Sequence, residues 1–321
     1  MNPTRELSLR PLGTGELLDR ALGICRAQFR QLFLLALGFQ VAMQGISKLV
    51  ELVAYARFPA LVSFSHVGEL PPAAQLLWAL PTLTGYFAVS VVLFQASVGA
   101  VSLGGPASTQ LESFSASRCW ERLRPRLGAL LATLLFELVL LGAQVALGLL
   151  PVGLAALNAA RDGSLDALVL LALGTLLSLL LAPAIFLVGF LRYLLVPSCV
   201  VVEGLSGPRA IRRSIQLMRA GRARWTMGPK LRASLVLLVV ALVVNAVTLI
   251  ADAPRSLLVF SHAGGTGSLP LYLLAELVSL TAKTAVYPFG MVALALFYLE
   301  VRVRREGIDI ALAAEGMAKA A

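Results

Sequence analysis

Six apolar runs, each long enough to cross a lipid bilayer, occupy most of this sequence and leave it few possible folds. They fall at about 31–56, 74–103, 128–155, 166–198, 231–251 and 269–299. A hydrocarbon core of about 30 Å takes roughly 20 residues of helix, because backbone N–H and C=O groups in lipid must bond within their own segment. Membrane β-strands are only about 10 residues long and alternate apolar with polar positions, and these runs do neither. The expected fold is an all-α polytopic membrane helix bundle of six transmembrane helices. Composition agrees, since 58% of the 321 residues are hydrophobic and 14% charged, too few charges to cover a water-soluble core of that size. A single integral membrane domain over 1–310, with a short tail at 311–321, is the expected division.

A formal net charge of +10 raises the question of nucleic acid. The placement of the charge answers it differently, because arginines gather between alternate apolar runs. Arg5, Arg10, Arg20, Arg26 and Arg30 precede the first run, and Arg118, Arg122, Arg124 and Arg126 precede the third. Arg209, Arg212, Arg213, Arg219, Arg222, Arg224, Lys230 and Arg232 precede or open the fifth, and Arg302, Arg304 and Arg305 follow the sixth. The alternate connections hold only Arg57, Arg161 and Arg255. This positive-inside asymmetry puts both termini in the cytoplasm and makes membrane lipid, not nucleic acid, the expected partner. The first thirty residues lack the apolar core and cleavage site of a signal peptide, so the first run is expected to stay as a span. Cys25, Cys119 and Cys199 lie at the inner ends of spans, are not spaced as a metal pair, and are expected as free thiols. No metal and no cofactor is expected.

The layout also repeats at about a hundred residues: a basic amphipathic segment, a span outward, a short loop and a span back. Pro125-Arg126-Leu127 and Pro229-Lys230-Leu231 begin two of these units, which allows three hairpin modules. In 14–30, Leu17, Leu18, Ala21, Ile24, Cys25 and Phe29 recur at helical spacing. In 206–220, Ser206 or Gly207 can cap a helix, Pro208 suits its first turn, and Ile211, Ile215 and Met218 form an apolar stripe. Both segments are expected as surface helices on the cytoplasmic side. Arg209, Arg212, Arg213, Arg219, Arg222 and Arg224 would then face lipid headgroups or a partner, or serve only as a topological anchor.

Ionisable residues inside the spans are few, and each costs on the order of 3 kcal/mol at the bilayer centre. Gln40, Gln44, Lys48 and Glu51 form one helical stripe in the first span; Glu276, Ser279, Lys283 and Tyr287 form another in the sixth. Glu137 and Gln144 share a face of the third, Asn245 lies in the fifth, and Arg192 near the inner end of the fourth is expected to snorkel. Counting from the span ends places Glu137 and Lys283 near mid-bilayer and Lys48 and Glu276 in the outer half. Glu137–Lys283 and Lys48–Glu276 are the expected ion pairs or shared polar network. The stripes admit two uses, a polar pathway for a solute or polar contacts that hold helices together.

No catalytic pattern is present: HExxH, GxSxG, CxxC and the P-loop are all missing. Gly13-Thr14-Gly15 reads as a turn before the first surface helix, and Gly264, Gly265 and Gly267 as a flexible external loop. The two histidines, His66 and His262, fall in external loops.

Three stretches together carry a family likeness: Leu9 to Arg20 (LRPLGTGELLDR), Pro197 to Ser214 (PSCVVVEGLSGPRAIRRS) and Tyr298 to Asp309 (YLEVRVRREGID). With six spans between them, the chain resembles a bacterial family of six-helix inner-membrane proteins related to the membrane domain of some glycerophosphodiester phosphodiesterases. YciC-like membrane proteins are similar in outline. The resemblance spans nearly the whole chain and implies the topology. In that family a soluble phosphodiesterase barrel can follow the membrane part; none is expected after Asp309, and the activity is not expected to transfer. In the motifs themselves, Glu203 is placed to pair with Arg209, Arg212 or Arg213. Glu300, Glu306 and Asp309 alternate with Arg302, Arg304 and Arg305, a possible clamp of the last helix to the central basic helix. The expected function is a non-enzymatic inner-membrane scaffold or accessory subunit, with lipid and another envelope protein as partners. The alternative is a transporter or channel-like protein for a small or amphiphilic solute. An accessory role in phospholipid-headgroup hydrolysis follows from the resemblance alone.

Overall fold

The computed structural model describes residues 13–57, 73–104, 116–162, 164–219, 228–261 and 269–307, and these are helical with no strand among them. In chain order the helices are α1 (Thr14–Ala27), α2 (Phe29–Arg57), α3 (Ala73–Gly104), α4 (Ala116–Leu123), α5 (Leu127–Asp162), α6 (Leu165–Tyr193), α7 (Val196–Glu203), α8 (Pro208–Leu217), α9 (Pro229–Ser261) and α10 (Leu269–Glu306). A 3-10 turn, Arg124–Arg126, leads into α5. Six helices (α2, α3, α5, α6, α9 and α10) are long and apolar enough to cross a membrane. The protein is an all-α polytopic membrane helix bundle.

The chain divides into two compact units, Met1–Pro125 with Leu235–Ala321, and Arg126–Ser234. This grouping differs from three equivalent hairpins, because the first unit joins helices from both ends of the chain.

In the first unit α10 is central, packed against α1, α2 and α3. Its apolar stretch is 78% buried, against 17–39% in the other five spans. The facing part of α3 is small and fully packed: Ala96, Ser97, Val98, Ala100, Val101 and Ser102 are all buried. Small residues matter here because lipid tails are as apolar as leucine, so helices associate through close packing and polar contacts instead of water exclusion. Of its predicted apolar stripe, α1 buries Leu17, Ala21 and Cys25, while Leu18 and Ile24 are half-buried and Phe29, just beyond its end, is exposed. Its start is fixed by the Gly13 N–H, which donates to Glu16 Oε2 at 3.4 Å.

In the second unit α5 and α6 form a long hairpin. α6 turns small residues inward (Ala167, Gly174, Ser178, Ala182 and Gly189 are buried) and leaves leucines such as Leu168, Leu176, Leu179 and Leu180 outside for lipid. The approach is close enough that a Cβ on Gly148 would lie 2.6 Å from Ala182 Cα. Pro151 lies inside α5, and the Val152 N–H next to it donates to Ser178 Oγ across the hairpin at 3.1 Å. A neighbouring helix thus supplies a bond at a proline, which lets membrane helices tolerate it.

Four span ends differ from expectation by five residues or more, and two of them, the third and the sixth, simply run seven residues further, to Asp162 and Glu306. The fourth stops at Tyr193, five residues early, where a turn at Leu194 and Leu195 leads into α7. Pro197 suits the first turn of a new helix, and the apolar run conceals the break. The fifth continues from its expected end at 251 to Ser261, straight through Pro254.

Candidate functional site

The polar stripe of α10 is the richest cluster in the first unit, and it reaches three other helices. Near the start of α10, Lys48 Nζ on α2 lies 3.3 Å from Glu276 Oε2 and donates to the Tyr272 hydroxyl at 3.1 Å. This is the pairing that depth matching predicts. One turn on, the Ser279 hydroxyl donates to Asp252 Oδ1 on α9, and Lys283 Nζ lies 2.9 Å from the same oxygen. Further along, the Tyr287 hydroxyl accepts from Ser97 Oγ on α3 at 3.4 Å and sits 3.9 Å from Met43 Sδ on α2. Its ring meets Phe94 edge-on at 5.9 Å between centroids. Five residues at one helical spacing, Tyr272, Glu276, Ser279, Lys283 and Tyr287, therefore bind α2, α3 and α9 to a single strut.

The lysine partner in the middle of the stripe corrects the sequence reading. Lys283 takes Asp252 where Glu137 was expected, and Glu137 belongs to the other unit. Asp252 lies one residue beyond the expected end of the fifth span, and the continuation of the helix through Pro254 brings it to Lys283. Gln40 is buried and Gln44 half-buried on α2, and the Glu51 side chain lies outside the described residues. Asn245 stays within its own helix, donating to the Ala241 carbonyl at 2.7 Å.

The second unit holds a separate polar set. Glu137 is buried on α5, only 1% exposed. Two turns on, Gln144 Nε2 donates to the Tyr193 hydroxyl at 2.8 Å, joining α5 to the last residue of α6. At the end of the unit where α5 begins and α6 finishes, α7 and α8 are fastened by several bonds. The Gly207 N–H donates to Thr133 Oγ1 at 2.8 Å, and the Ser214 hydroxyl to the Arg192 carbonyl at 2.8 Å. Arg126 donates to the Val201 carbonyl. Gly207 itself has φ +56° and ψ −135°, a backbone open essentially to glycine alone. Pro208 follows it at the first turn of α8, as the sequence predicts.

No protein-family model, curated protein or solved structure matches this chain. Residue chemistry alone therefore bears on function.

The predicted charge groups at the helix ends resolve into local pairs. Glu203 Oε2 takes Arg213 Nε at 2.8 Å, one of its three expected partners. Arg304 pairs with Glu300, and Arg302 with Glu306 at 2.9 Å, each one turn apart on α10. Each of these pairs lies within its own segment. Arg305 is exposed, and Asp309 lies outside the described residues. Arg209, Arg212 and Arg219 are exposed, while Arg222 and Arg224 fall outside the described residues. His66 and His262 also fall outside them. Among the described residues no group of three or more His, Cys, Asp and Glu side chains is placed to hold a metal ion. Cys25, Cys119 and Cys199 are buried and in no disulfide, and burial pushes the Cys25 thiol up to about 12.

Proposed function

We propose that this integral membrane protein is a non-enzymatic scaffold or accessory subunit of the bacterial cytoplasmic membrane, with both termini in the cytoplasm. One observation carries the reading: the lysines on α2 and α10 face carboxylates, Lys48 with Glu276 and Lys283 with Asp252. Charge neutralised in this way joins helix to helix, and it offers a passing ion no net attraction. The arginine asymmetry along the chain supports the orientation. The motifs at 9–20, 197–214 and 298–309 support kinship with the six-helix family related to the phosphodiesterase membrane domain. Lipid and another envelope protein are the partners proposed.

Purification in a mild detergent tests this reading. It expects an envelope protein held in fixed stoichiometry, and proteoliposomes that carry no solute or proton flux. Flux that disappears in a folded Lys283→Met variant would overturn it. For the orientation, a cysteine at position 212 should react with an impermeant maleimide only after the membrane is opened.

Transport of a small or amphiphilic solute is a second reading with one observation in its favour. The Lys48 and Asp252 side chains keep 35% and 28% of their surface exposed, so protein does not seal either pair.

A further inference from the structure

We propose that the outer face of α8 is a docking surface for the phosphate headgroups of anionic phospholipid. The helix is amphipathic, and its own unit fixes which face is free. Ala210, Ile211, Ser214 and Leu217 are buried, whereas Arg209, Arg212, Gln216 and Arg219 are exposed. The exposed set recurs at i, i+3, i+7 and i+10, which is a single stripe along the helix and the turn that follows it. From Pro208 to Arg219 the chain holds no Asp or Glu. The nearby carboxylate, Glu203, is engaged by Arg213 on the flank of the helix. Three guanidinium groups therefore present positive charge, and the helix itself places no carboxylate on their face.

The position of α8 names the occupant. Ser214 bonds the Arg192 carbonyl in the last turn of α6, and Gly207 bonds Thr133 in the second turn of α5. α8 is thus fastened where two membrane-spanning helices end, the level at which lipid phosphates lie. Arg192 is itself exposed at this end and adds to the positive field. Guanidinium groups bind phosphate oxygens in pairs, and a helix already held by bonds and burial loses little further freedom on binding. The inference stands whether the chain is a scaffold or a transporter.

The test uses the full-length protein in detergent, titrated with dioleoylphosphatidylglycerol and, separately, with dioleoylphosphatidylcholine. Bound lipid is counted by native mass spectrometry. Each arginine near an anionic surface contributes about a fivefold change in affinity, so R209Q/R212Q/R219Q should bind phosphatidylglycerol about a hundredfold more weakly. The control R26Q/R122Q/R124Q removes the same charge from exposed sites in the other unit and should change it less than tenfold. R209K/R212K/R219K should keep most of the affinity, and R212Q alone should lose about fivefold if the triple variant fails to fold. Equal losses in the two triple glutamine variants would overturn the proposal, as would equal binding of the zwitterionic lipid. Displacement of the lipid by millimolar inorganic phosphate would also overturn it, because the site would then be one for a free anion. An acidic protein lost from R209Q/R212Q/R219Q while its lipid binding stays unchanged would assign the face to that protein instead.

Discussion

Neutralising Lys283 and Asp252 separately and together measures what the α10 stripe does. Two unit charges at about 4 Å attract by roughly 4 kcal/mol at an effective dielectric constant of 20. The two side chains retain 18% and 28% of their surface, so protein does not enclose the pair fully. Interhelical polar contacts in membrane proteins average about 0.6 kcal/mol and reach about 1.7 kcal/mol, and a charge-assisted bond belongs near the upper end. Lys283→Met leaves Asp252 with the Ser279 hydroxyl but without its cation; Asp252→Asn leaves a lysine facing an amide. Each should cost about 2 kcal/mol, and the double variant about 2.5 kcal/mol, a coupling of roughly 1.5 kcal/mol. The assay is reversible unfolding in mixed micelles titrated with sodium dodecyl sulfate, followed by far-ultraviolet circular dichroism. Additive costs, with the double variant near 4 kcal/mol, would show that the two residues do not act as a pair.

Gly148→Val should destabilise the α5–α6 hairpin by about 2 kcal/mol in the same assay, because its Cβ would meet the Ala182 backbone. Gly207→Ala should lower stability by about 2 kcal/mol, and Thr133→Val by about 1 kcal/mol, both read as a fall in Tm in detergent. Cys25 should resist iodoacetamide at pH 8 in the folded protein and react once it is denatured, since its thiolate forms only near pH 12. Its raised pKa also gives a sign: the contribution to stability is complete below pH 9 and falls as pH rises toward 12, so Tm should drop over that window.

The spans were legible because lipid imposes one rule on every residue of a long run, and hydropathy reads that rule directly. The break at Leu194 was not, because Leu194 to Val201 stay apolar and buried on both sides of it. A turn inside an apolar run leaves no trace in hydropathy. The α10 stripe was legible from helical spacing, and Lys48–Glu276 from depth. Asp252 falls just outside the expected span end at 251, because the helix continues through Pro254 to Ser261, as lipid allows. Gln144–Tyr193 and Gly207–Thr133 join residues 49 and 74 positions apart, and nothing local in the sequence marks either.

The order in which the ribosome delivers these helices sets a waiting time for α2. Lys48 enters the membrane early, yet Tyr272 follows 224 residues later, and Glu276 only after that. At a synthesis rate of about 5–20 residues per second, the lysine spends on the order of ten to forty seconds in lipid before α10 arrives. The second unit is contiguous in the chain and can close during that interval, while the first stays open until its central strut is made. A nascent chain arrested before α10 would carry an unmatched cation in its first span, a ready mark for membrane proteases.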